Sequence, residues 1–131
     1  MPNCDASMPL KIEEWASTEK VGSAYSFMHH GNFHGILETK KGAYRGNHIH
    51  PNIQYTLLLK GRAKNVLYVD GERVEVPLRI GEVAKVEAGV PHILFPETDI
   101  LTFEWWTGDF IADDCTGLFD DLIKVRYGPK D

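Results

Sequence analysis

The sequence predicts an all-β domain, built as an antiparallel barrel or jelly roll. Three observations point there. From residue 24 onward, short runs rich in β-branched and aromatic residues are separated by Gly, Pro, Asn and Asp. Helical periodicity is almost absent. Asp70-Gly71, lying between two such runs, can supply the positive φ angles of a tight hairpin turn. At 131 residues, with 43% hydrophobic and 25% charged residues, the chain fits one globular domain, residues 1–131, with a core of its own.

Taken in order, residues 1–8 are small and polar and read as a mobile terminus. Leu10, Ile12 and Trp15 give enough apolar content for a strand or turn that docks on the body. The clearest strands fall at residues 33–39, 53–60, 63–69, 73–78, 82–87, 92–95 and 100–106, with Gly61, Gly81 and Gly89 between them. Only residues 117–125 carry helical spacing, with Leu118, Leu122 and Val125 on one side. The segment 107–131 is thus expected to be a tail or short helix packed on the barrel or on a dimer partner.

Several function classes drop out. A net charge of −5 disfavours nucleic acid as a partner, because phosphate binding needs a positive surface. No apolar run approaches the roughly 20 residues that span a bilayer, and the first residues lack a secretory pattern, so no membrane partner and a cytoplasmic location are expected. Cys4 and Cys115 are too few for a disulfide framework. No phosphate-binding glycine loop, nucleophile elbow or Cys-x-x-Cys pair occurs.

The chemistry concentrates in GAYRGNHIHPNIQYTLLLKG, residues 42–61. Residues two apart on a strand share a face, so His48 and His50 project together if this piece is extended. Gln54 keeps the same parity, and His92 opens a separate strand. Neutral imidazole is the commonest biological metal ligand, and two such groups on one strand with a third on a facing strand can close a site.

These residues resemble the two motifs of the cupin superfamily. Gly42, His48, His50, Gln54 and Gly61 match G-x5-H-x-H-x3-E-x6-G in every spacing, with Gln in the Glu place. Gly81, Gly89 and His92 match G-x5-P-x-G-x2-H, with Glu87 where Pro is usual; Pro96 stands where a closing Asn is common. The resemblance covers about residues 30–107. It implies a cupin-type jelly-roll β-barrel (a double-stranded β-helix) holding one divalent ion (Mn, Fe, Ni, Co or Zn) through His48, His50, Gln54 and His92. It also implies a homodimer paired through edge strands, since an exposed sheet edge needs cover. An amide ligand cancels none of the ion's charge, which favours Lewis-acid or oxygen chemistry on an oxygen-rich, even anionic, small-molecule substrate.

The stretch YRGNHIH also resembles cupins that isomerise or epimerise nucleotide-linked sugars without metal. On that resemblance His48 and His50 are the acid-base pair, and Arg45 meets the phosphates. A non-catalytic sugar- or ligand-binding cupin is the third alternative. Glu104, between Phe103 and Trp105, is either ion-paired or a raised-pKa catalytic base. Tyr44, Tyr55, Phe95, Trp105 and Trp106 are candidate cavity walls, and Trp105 and Trp106 must point to opposite faces. His29, His30, His34 and Glu38 are expected at the surface.

Overall fold

The computed structural model describes residues 9–115 and 117–123. The terminal segment 1–8, including Cys4, and the end of the expected 117–125 element lie outside these residues. Eleven strands are described, all paired antiparallel. They are β1 (Glu13–Glu14), β2 (Ala24–His29), β3 (Asn32–Thr39), β4 (Arg45–Ile49), β5 (Gln54–Lys60) and β6 (Ala63–Val69). β7 (Glu72–Leu78), β8 (Val83–Val86), β9 (His92–Pro96), β10 (Ile100–Trp106) and β11 (Asp113–Asp114) complete the set. A six-stranded sheet runs β1-β2-β3-β10-β5-β8, and a five-stranded sheet runs β11-β4-β9-β6-β7.

This topology is cupin-like, but the hydrogen-bond ladder of the expected barrel does not close among the described residues. Three of the four end strands cannot extend the ladder well: β1 and β11 have two residues each, and β7 carries Pro77, which lacks a donor; the fourth, β8, is a four-residue edge. The two inner faces meet in a core of Leu58, Ala63, Leu78, Leu94 and Ile100. Toward the other end of the interior the same faces turn polar, with His50, Gln54, Thr56, His92, Thr102 and Glu104 all buried.

The expected strand positions hold to within one residue at each end, and Asp70 and Gly71 (φ 51° and 79°) make the tight β6–β7 turn. β2 and β11 were not among the clearest expected strands, whereas β1 falls in the piece around Leu10–Trp15 expected as a strand or turn, and β4 is the extended piece expected to carry His48. Residues 117–123 form turns and a short 3-10 segment, Asp120–Leu122, rather than a helix. Phe119 and Ile123 from this piece pack with Val66 and Ile93 on the back of the five-stranded sheet. Arg73 of β7 fastens it by pairing with Asp121 and donating to the Leu118 carbonyl at 2.7 Å. No helix among the described residues is long and apolar enough to cross a membrane.

Candidate metal centre

β4 and β9 bring the histidines together, and a β-bulge sets their direction. Arg45 pairs with Leu94, Gly46 with Ile93 and His48 with His92, leaving Asn47 as the extra residue. Gly46 and Asn47 adopt φ of 90° and 65°, which a glycine and an asparagine tolerate. Without the bulge, residues 45 and 48 would face opposite sides of the sheet. With it, both line the same cavity.

The rings of His48, His50 and His92 lie 4.3–5.0 Å apart between centroids, and their ligand nitrogens lie within 4.8 Å of one another. His50 and His92 are buried and His48 is half-buried. His50 Nδ1 donates to the Ile111 carbonyl at 2.7 Å, and His92 Nδ1 donates to the Val90 carbonyl at 3.0 Å. Each bond fixes the tautomer, so each Nε2 presents a lone pair, and both Nε2 atoms are buried without a partner. This cluster is a potential metal-binding site.

Gln54 opens β5, beside Trp106 of β10. Its Nε2 donates to Thr56 Oγ1 and to Glu104 Oε1, both at 3.1 Å, and its Oε1 is buried without a partner, as are Asn47 Oδ1 and Trp106 Nε1 of the same cavity. Glu104 also accepts from Thr102 Oγ1 at 3.0 Å. Glu104 is neither ion-paired within contact distance nor exposed. Burial pushes its pKa up to about 7, against the lowering influence of Thr102 and of the Arg45 charge. Burial likewise pushes His92 down to about 4, aided by the His50 charge and opposed by the Val90 carbonyl. His50 is lowered by burial, while the Ile111 carbonyl and the Gln54 side chain pull upward, although no well-formed hydrogen bond closes between His50 and Gln54. Neutral imidazoles result, as metal ligation requires.

The cavity beside the cluster holds about 500 Å³, the size of a small-molecule site. Of the expected walls and binding residues, Tyr44, Arg45 and Trp106 line it. Tyr55 and Trp105 do not: they stack on each other at 5.5 Å on the opposite face of the six-stranded sheet, by the parity that turns Gln54, Glu104 and Trp106 inward. Phe95 belongs to the apolar cluster on the back of the five-stranded sheet, near Tyr44. Arg45 is buried, and four of its N–H groups are engaged. Nε donates to Thr39 Oγ1, Nη1 to the Ala16 carbonyl, and Nη2 to the Gly22 and Glu38 carbonyls. Burial lowers its pKa to about 10, so it stays charged.

Trp15, Trp106 and Phe110 form the aromatic wall, with Trp106 and Phe110 centroids 5.5 and 5.4 Å from that of His50. Trp106 was among the expected walls, and it shares parity with Glu104. Phe110 and Trp15 sit in irregular segments that carry no periodic signal. His29, His30 and Glu38 are exposed, and His34 lies half-buried on the outer face, stacked on Phe27.

No protein-family model and no curated protein sequence matches the chain. Solved structures do. The capsular polysaccharide assembling protein CapF of Staphylococcus aureus aligns at 22% identity and TM-score 0.66, over 87% of this chain and 34% of that one. Vicilin of hazelnut, Corylus avellana, aligns at 15% and 0.71, over 85% and 38%. Oxalate decarboxylase of Bacillus subtilis, a protein with Mn(II) centres, aligns at 16% and 0.66, over 82% and 31%. The structural neighbours share this fold, and the three-histidine cluster is a potential metal-binding site. The chain spans about a third of the length of these neighbours, and at such identities the likeness is one of fold.

Proposed function

We propose that this cupin-like chain is a metal-dependent enzyme in which His48, His50, His92 and Gln54 hold one divalent ion. An oxygen-rich small molecule binds in the adjoining cavity. The observation that carries this reading is the clustering of the ligand nitrogens of His48, His50 and His92 within 4.8 Å of one another, together with three buried acceptor atoms without partners, His50 Nε2, His92 Nε2 and Gln54 Oε1. Each unsatisfied buried group costs about 1–3 kcal/mol, and a single cation answers all three. Manganese, iron, nickel, cobalt and zinc accept such a donor set. Held by ligands without charge, the ion would supply Lewis-acid polarisation of a carbonyl or alkoxide oxygen.

The chain's own residues supply the rest. Glu104 and Thr56 hold the Gln54 amide so that its oxygen faces the histidines. Glu104 lines the cavity with a pKa near neutrality, and it takes or gives the proton of an isomerisation or lyase step. Trp15, Trp106 and Phe110 exclude water. Asp114 and Asp120 also line the cavity and disfavour a highly anionic ligand, so a hydroxyl- or carbonyl-bearing molecule of low charge fits best. The nucleotide-sugar alternative loses support, because Arg45 spends its N–H groups on backbone carbonyls and Thr39 rather than keeping them for phosphates.

The test is elemental analysis of protein purified without an affinity tag and loaded with manganese or zinc. We expect about one ion per chain in the wild type and at least a tenfold loss of affinity in His92→Ala and His50→Ala. Negligible metal in the wild type, or retention in both variants, overturns the proposal.

A further inference from the structure

The inner faces of the two sheets are ordered in layers. In the five-stranded sheet, cross-strand registers put His48, His92 and Leu67 in one row and Arg45, Leu94, Asn65 and Val76 in the next. In the six-stranded sheet Gln54 pairs with Trp106, and one row along Thr56 pairs with Glu104. The rings of His50 and Trp106, 5.5 Å apart, bring the first rows of the two sheets together. A second polar layer therefore follows the histidines, two residues or about 6.6 Å farther along the strands. Beyond it the interior turns apolar at Leu58, Ala63 and Leu78.

The other polar groups of the second layer are committed inside the protein. Arg45 donates to Thr39 and three carbonyls, Thr56 accepts from Gln54, and Glu104 accepts from Gln54 and Thr102. Asn65 is the exception. It is 4% exposed, it lines the cavity, and its carboxamide makes no hydrogen bond to any described residue. Its polar atoms are not sealed by packing as Trp106 Nε1 is, so they face the cavity. Strand parity holds Asn65 inward, since Val66 beside it packs on the back of the sheet. Its row neighbours are Leu94 and Val76. Packing alone favours an apolar side chain there, because a buried amide without a partner is costly.

An amide that faces a cavity selects its ligand by chemistry. It offers donors and an acceptor without charge, so it suits a hydroxyl, which both donates and accepts. A carboxylate or phosphate finds no free cationic fork in this layer, since Arg45 has four N–H groups engaged, and Asp114 and Asp120 line the same cavity. Leu37, Leu94 and the Trp15 ring supply apolar walls for the C–H faces of a carbon chain. We infer that Asn65 is a specificity-determining residue, whose carboxamide reads a hydroxyl of an uncharged ketose- or aldose-like molecule held at its other end by the metal centre. The layer spacing of about 6.6 Å suits a chain of roughly four to six carbons. The inference rests on the metal-centre reading, because the ion fixes where the carbonyl end of the ligand sits.

The test is isothermal titration of the manganese-loaded full chain with two uncharged ketones, L-erythrulose and hydroxymethyl ethyl ketone. Metal content and far-UV circular dichroism are measured on the same samples. The second ketone keeps the hydroxyketone head and the carbon chain of the first but lacks both distal hydroxyls. A site that pairs a hydroxyl rejects the analogue without one. We expect the wild type to prefer erythrulose at least tenfold. Asn65→Leu, close in volume, should reduce that preference to less than twofold while metal content and binding of hydroxymethyl ethyl ketone stay unchanged. Asn65→Ala should do the same, and it serves if Asn65→Leu fails to fold. A wild type that binds neither ketone, or both equally, overturns the inference. So does a preference that survives in a folded Asn65 variant, or a variant that weakens both ketones alike. Negligible metal in the wild type brings down the metal-centre reading and this inference with it, whereas full metal content with equal ketone binding brings down the inference alone.

Discussion

Gln54 Nε2 donates to Glu104 Oε1 across 3.1 Å inside the sheet sandwich. The bond joins the one uncharged member of the proposed ligand set to the one buried carboxyl group of the cavity. It decides which end of the amide faces the histidines. Gln54→Glu would replace the donor with a second carboxylate beside Glu104, and two close carboxylates in a buried site cannot both ionise cheaply. We expect the metal-free variant to lose about 2–4 kcal/mol of stability at pH 8. Adding Glu104→Gln should return most of that loss by restoring one donor and one acceptor. Urea denaturation of the two single variants and the double variant gives the coupling. Additive effects would mean that the contact does not set the amide.

Stability against pH follows from the same groups in metal-free protein. Glu104 has its pKa raised from 4.5 to about 7, so between those values the folded state holds a proton that the unfolded chain has lost, and stability falls as pH rises. His92 has its pKa lowered from 6.5 to about 4, so between those values the unfolded chain holds the extra proton, and stability rises with pH. From about pH 4.5 to 6.5 the two slopes, each about 1.4 kcal/mol per pH unit, oppose each other. Glu104→Gln should therefore expose a rising slope that the wild type hides, and lowered His50 adds to it. Urea midpoints at pH 4.5, 5.5 and 6.5 check this; parallel wild-type and variant profiles would refute it.

Much of this architecture was legible because strand patterns are local. The runs at residues 63–69 and 100–106 are rich in β-branched and aromatic residues and sit between turn residues, and β6 and β10 have those bounds. The metal-type spacing of His48, His50 and His92 was equally plain, and their ligand nitrogens lie within 4.8 Å of one another. What was not legible was direction. β10 turns its polar Thr102 and Glu104 inward and its apolar Leu101, Phe103 and Trp105 outward, so hydrophobicity alone could not decide whether Trp105 or Trp106 turns inward. β2 and β4 were obscured for a different reason: β2 mixes polar with apolar residues, and β4, RGNHI, contains a bulge that breaks the period of two.

That bulge is the basis of a third expectation. Gly46 sits at φ 90°, and a Cβ there would come within 3.2 Å of the His92 carbonyl oxygen. Gly46→Ala therefore strains the backbone and presses on the strand that carries the third histidine. A stability loss of about 1–3 kcal/mol is expected, with metal affinity falling at least tenfold because His48 turns out of register. Isothermal titration with zinc or manganese measures it. Unchanged affinity in a folded variant would show that the bulge does not aim His48.

Arg45 poses the sharpest choice between a binding and a building role. Its guanidinium reaches the Ala16, Gly22 and Glu38 carbonyls and Thr39, and so ties the segment ahead of β2 to β3 and to the cavity wall. A lysine has three donors on a point charge and cannot reproduce that planar fork. Arg45→Lys should leave at least two of those acceptors unsatisfied and cost about 2–4 kcal/mol, while the stoichiometry of bound metal stays at one. It should also push the Glu104 pKa higher if the new ammonium sits farther away, because the Arg45 charge now holds that pKa down. Urea denaturation and metal analysis of the variant separate the two roles. A variant of wild-type stability whose only defect is weaker ligand binding would mean that Arg45 serves the ligand and not the scaffold.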